Sequence, residues 1–157
     1  STYIGSTKNS TFLFADARAF YALDNQEKNI LAFWLHGEFL ASGTAPYLAL
    51  PALGYDERQR SGRGYAFGRF RGEDLVYDET EYRYPISRSG VLGGVVFLNF
   101  TSASDKMNRI ALLNTIQAGY GTGFRVMLDK KSRTRLEADA GVGKKQLALY
   151  FGVQETF

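Results

Sequence analysis

The sequence has no cysteine and only one histidine, His36. The first absence excludes a disulfide framework, a thiolate nucleophile and a cysteine zinc centre. The second excludes a poly-histidine metal centre and the H-E-x-x-H motif. No stretch approaches the ~18 consecutive apolar residues of a membrane-crossing helix. A spanning β-barrel stays open, because its alternating strands look only half apolar. Proline is scarce, at three residues, and nineteen Lys+Arg against sixteen Asp+Glu leave a net charge of only +3. That bias does not by itself demand nucleic acid or anionic lipid.

What is present leans one way. Aromatic residues make up 15% of the 157 positions, and there are 17 glycines. Such an aromatic load excludes disorder. Many aromatics and glycines with few prolines suit a β protein. The length fits one domain, residues 1–157, large enough to enclose an interior.

Period two dominates the chain. From Thr11 to Leu23, Leu13, Ala15, Ala17, Ala19 and Tyr21 share one face, while Asp16 and Arg18 lie on the other. In Ile30–Ala41, Leu31, Phe33, Leu35 and Phe39 oppose His36 and Glu38; a helix is conceivable there, but the alternation and aromatics favour a strand. Further strands follow at Leu75–Pro85, Val91–Thr101, Gln117–Leu128, Thr134–Val142 and Leu147–Phe157. Ser1–Gly5 is a candidate for part of an eighth. Strands of roughly 10–12 residues cross a bilayer when tilted. Connections of two lengths separate them. Those after Leu23, Pro85 and Leu128 are short; those after Ala41 and Thr101 are long. Short turns on one rim and long loops on the other are the pattern of a transmembrane barrel. Opposite charges share one face, as in Glu81 with Arg83 and Arg135 with Glu137 and Asp139, while the other face is smooth and apolar. The expected fold is therefore all-β: a transmembrane, antiparallel, up-and-down barrel with about eight strands per chain.

Several motifs invite other readings. Arg63–Phe70 (RGYAFGRF) nearly matches the aromatic–basic pattern of RNA-recognition motifs. That fold needs two amphipathic helices among four strands, and residues 73–157 show no helical period. Gly141–Lys145 lacks the spacing of a P-loop. The His36–Glu38 pair resembles part of a deaminase site but has no cysteines to complete it. Glu79 and Glu81 lie two apart on one strand face, where acid–base pairs occur; Arg83 beside them points to an ion-pair network instead. No nucleophile–base–orienter set is visible.

The stretch Arg63–Gly72, followed by Glu81-Tyr82-Arg83-Tyr84-Pro85, resembles the carboxy-terminal barrel region of the bacterial surface-antigen superfamily. This is the BamA/TamA-type group of outer-membrane insertases and translocases. Phe97-Leu98-Asn99, Gly121–Val126, Asp139-Ala140-Gly141 and the terminal Phe157 resemble further landmarks of that group, in order. The resemblance covers about residues 60–157. It implies a long loop, about residues 42–72, folded into a barrel lumen. Arg63, Gly64 and Tyr65 would form the loop motif. Glu81 and Asp139 would be partners of Arg63, with Arg83, Asn99, Arg125 and Glu137 as further lumen candidates. Asn99 departs from the acidic residue of the group, so the tether should be weaker or differently routed.

The resemblance also implies a non-enzymatic protein of the bacterial outer membrane that assists insertion of other proteins through a weakly paired seam. No metal or cofactor is implied. Membrane lipid, a second copy of the chain and client outer-membrane proteins are the expected partners; nucleic acid is not. The client-receiving periplasmic domains of the group have no counterpart in this sequence, so a passive anchor or scaffold is the alternative. Closure of eight strands alone, pairing of two chains into a sixteen-strand barrel, and a need for another fragment are three ways to satisfy the sheet edges.

Overall fold

The computed structural model describes residues 9–56, 59–129, 131–132 and 134–155. Seven strands form one sheet: β1 (Ser10–Ala22), β2 (Ile30–Gly43), β3 (Asp74–Pro85), β4 (Leu92–Ala103), β5 (Gln117–Met127), β6 (Thr134–Gly143) and β7 (Gln146–Glu155). Every strand pairs antiparallel with its sequence neighbours, in the order β1 to β7. The only other regular element described is a single 3-10 turn, Tyr47–Ala49. Ile30–Ala41, where a helix was conceivable, is strand β2. None of the described helices is long and apolar enough to cross a membrane.

One sequence expectation needs correction. The seven strands are those read from the sequence, but among the described residues the sheet is not closed: β1 pairs only with β2, and β7 only with β6. The candidate eighth strand, Ser1–Gly5, lies outside the described residues, as does Phe157.

The two rims differ as the spacing predicts. Strands β1–β2, β3–β4 and β5–β6 are joined by short turns on one rim. In the first of these, the Asp24 carboxylate accepts the backbone amides of Gln26, Lys28 and Asn29. The opposite rim carries the long connections 44–73 and 104–116.

The faces are distributed inside out. Leu147, Leu149, Phe151 and Val153 of β7 point outward and are 63–80% exposed. Tyr120 and Phe124 of β5, Val96 and Leu98 of β4, and Leu13 and Leu35 continue that surface. Among the described strand side chains, the charges on this face are Asp78 and, at the end of β3, Asp74. The inner face is the reverse. Glu79, Glu81, Asn99, Arg125 and Asp139 are all buried there. A small apolar cluster, Leu53, Tyr65, Leu75 and Tyr77, lies between the sheet and the 44–73 loop. Polar residues outnumber apolar ones in the buried set, whereas a water-soluble domain hides mainly apolar side chains.

Candidate functional site: a loop anchored on the inner face

The site is assembled by strand register. One row across the sheet reads Ala32, Glu81, Phe97, Gly121, Gly141 and Ala148. A neighbouring row reads Trp34, Glu79, Asn99 and Gly119, and the next Arg83, Val95, Gly123, Asp139 and Tyr150. Carboxylates therefore enter from β3 and β6, an aromatic ring from β4, and almost no side chain from β5.

The glycines of β5 make the space. A methyl group built at Gly121 would collide with the Phe97 ring, and one at Gly123 with the Asp139 carboxylate. Both side chains lean over β5 because it has no side chain there. A Cβ at Gly119 would lie 2.8 Å from the Arg63 carbonyl oxygen, and one at Gly141 2.6 Å from the Gly64 nitrogen. The loop backbone thus lies in a trough of bare backbone. Gly64 itself has φ +102°, and a Cβ there would meet the Val142 carbonyl carbon at 2.9 Å. Only glycine fits on both counts.

Arg63 projects from this trough into the acidic groups. Its Nη2 pairs with Glu79 at 2.5 Å and also with Glu81; its Nε donates to Glu79 at 3.0 Å and its Nη1 to Asp139 at 2.9 Å. The guanidinium lies 3.8 Å from the centre of the Phe97 ring, a cation–π contact in a sheltered place. Glu79 and Asp139 stand on strands three spacings apart, about 14 Å across a flat sheet. One guanidinium reaches both, so the sheet curls around the loop.

The surrounding groups complete the network. Arg125 pairs with Asp139 and lies 3.4 Å from Glu137. Arg60 of the loop reaches Glu137 at 2.8 Å, and Arg83 reaches Glu81 at 2.5 Å. Tyr77 donates its hydroxyl proton to Glu79 at 2.6 Å. Four guanidinium groups thus face four carboxylates. Burial disfavours the charge on Arg63, but Glu79, Glu81 and Asp139 more than offset this and hold its proton more tightly than in an ordinary arginine. Such a network contributes little net stability against an apolar replacement, but removing one member is costly.

Asn99 does what an aspartate could not. Its Nδ2 donates to the Arg63 carbonyl at 2.9 Å. The tether is routed through the loop backbone here, and an ionised carboxylate has no proton to give. Beyond Arg63, Tyr65 is buried and donates its hydroxyl to the Ala118 carbonyl at 2.5 Å. Its ring meets Phe70 edge-on at 5.0 Å, so the aromatic face that base stacking would use is packed inside. The Tyr150 hydroxyl of β7 accepts from the Gly64 amide at 3.0 Å and donates to the Tyr65 carbonyl at 3.0 Å. The loop therefore touches every strand from β3 to β7.

The structure brings Arg63, Gly64, Tyr65, Glu81, Arg83, Asn99, Arg125, Glu137 and Asp139 into one cluster. Sequence reasoning missed Glu79 as an Arg63 partner, together with Tyr77, Phe97 and Tyr150. Glu79 and Tyr77 share the Glu81 face by simple alternation, and that signal was legible. The roles of Phe97 and Tyr150 depend on curvature. Among the described residues, no group of His, Asp and Glu is arranged to hold a metal ion. No protein-family model matches the chain, and no curated protein does.

Proposed function

We propose that this chain forms part of the wall of a bacterial outer-membrane β-barrel and acts without covalent chemistry, helping other membrane proteins to insert at its open edges. The observation that carries the reading is the inside-out distribution of side chains. Its outer face is exposed, apolar and aromatic, with Asp78 and the rim residue Asp74 the charges described there; its inner face buries carboxylates and guanidiniums. In water that arrangement exposes what should be hidden, and in lipid it does not. Among the described residues, the edges at β1 and β7 are unpaired and present backbone donors and acceptors that hydrocarbon cannot satisfy, so both demand partner strands. The resemblance at Arg63–Gly72 supports the insertase-like role. The second reading is a passive anchor or scaffold, favoured by how firmly the loop is pinned to β3–β7.

Three measurements test this. The chain lacks cysteine, so a single one can be introduced at Leu149, which faces outward, or at Ala148, which faces inward. With a fluorophore attached, brominated lipid should quench the Leu149→Cys label and spare the Ala148→Cys label. A protein that stays folded and monomeric without detergent or lipid overturns the membrane reading. Vesicles carrying the protein should then accelerate folding of a client barrel. Lipid quenching without acceleration selects the passive scaffold.

A further inference from the structure

A second cluster lies on the inner face of β1 and β2, outside the Arg63 network. His36 is buried, on β2 directly opposite Asp16 of the edge strand β1. Its Nε2 lies 3.1 Å from Glu38 Oε1, and its Nδ1 3.5 Å from Asp16 Oδ2. Asp16 also accepts from Trp34 Nε1 at 2.9 Å and from Arg18 Nε at 2.8 Å. His36 Nδ1 makes no hydrogen bond.

The two carboxylates define the problem. A neutral imidazole carries one N–H. Where Nε2 holds the proton, the Nδ1 lone pair faces Asp16. Where Nδ1 holds it, the Nε2 lone pair faces Glu38. Either neutral tautomer sets a lone pair against a carboxylate oxygen, and only the imidazolium offers a donor to both. The remaining groups around His36 do not alter that count. Tyr77 of β3, opposite His36 in register, spends its hydroxyl proton on Glu79. Arg18 is engaged by Asp16 and lies 4.9 Å from the Trp34 ring centre. Asp56 of the loop adds a further negative charge nearby.

We propose that His36 is a proton-operated clasp that fastens the inner side chains of the edge strand β1 to β2. Charged, it ties Asp16 to Glu38. Neutral, it releases Asp16, and β1 frays at its open edge. The clasp is therefore present at low pH and lost as pH rises through the titration of His36. The inference goes beyond the proposed function and stands apart from the membrane reading.

The sequence supplies its own reporter, since the sole tryptophan lies 5.8 Å from the sole histidine, ring centre to ring centre. Amide exchange of residues 14–20, corrected for intrinsic rates, should speed up severalfold between about pH 5 and pH 8, while the amides of β5 and β6 keep their protection. Trp34 emission should titrate with the same midpoint. His36→Gln should flatten both curves. Asp16→Asn, which retains a polar partner for Trp34, should remove the exchange step while emission still reports the proton. Unchanged β1 protection across this range overturns the clasp, and so does a step that survives His36→Gln or, should that variant not fold, Asp16→Asn.

Discussion

The inner face holds two charge clusters, and they are built differently. Around Arg63 on β3–β6, a loop seals the groups from water, and every carboxylate has a guanidinium. Around Asp16 on β1 the cover is thinner: His36 and Glu38 of β2 are sheltered, but the Asp16 side chain is 42% exposed. Phe14 and Phe20 of β1 are 70% and 60% exposed on that face, and the Arg18–Asp16 pair is partly open to water. The same residue types therefore carry different weight. In the sealed cluster each charge depends on the others; in the open one water screens them. The lesson is that the loop, rather than the sheet, decides which ion pairs matter.

The largest test of that contrast is Arg63→Ala. It leaves Glu79 without a guanidinium, and Glu81 and Asp139 with only Arg83 and Arg125 respectively, and should cost about 3–5 kcal/mol in denaturant unfolding. Combining it with Asp139→Ala should cost less than the sum of the single losses. Additive losses would show that the two side chains are not coupled.

The trough offers the next test. Gly141→Ala sets a methyl group against the Gly64 backbone and should destabilise by roughly 1–3 kcal/mol, the usual cost of overpacking. Limited proteolysis should then cut the 44–73 loop faster than in the parent. A loop equally resistant in both proteins would mean that it is not held by this apposition.

Arg18→Ala should have the smallest effect. Its pair with Asp16 is half open, so the loss should stay within about 1 kcal/mol. A loss as large as that of Arg63→Ala would erase the contrast between the halves.

Much of the fold was legible because it is local. Alternation at Leu13–Tyr21 and Leu31–Phe39 marks strands, and the charged turns 24–29 and 129–133 separate them. The strand limits moved by only a few residues, as at Asp74 for Leu75 and Gly43 for Ala41. The 42–72 connection was also visible, from its glycines and lost period. Less legible was what the loop touches. Glu79 could have been added to Glu81 by period two alone. That Phe97 would lean over Gly121, and Asp139 over Gly123, depends on cross-strand register and on curvature, which no run of residues encodes by itself. Asn99 looked like a weakened charge, and its donor role appeared only once the Arg63 carbonyl lay beside it.

One feature of the sheet has arithmetic attached to it. In an up-and-down meander, direction alternates with each strand, and the described residues form seven strands, an odd number. β1 and β7 therefore run the same way. If these seven strands closed on themselves, β1 and β7 would meet parallel. A second copy inserted in the same sense would meet the first in the same way at both junctions. An all-antiparallel wall is reached only when an odd number of further strands stands between one edge and the next. Parity, more than edge length or composition, decides what can complete this sheet.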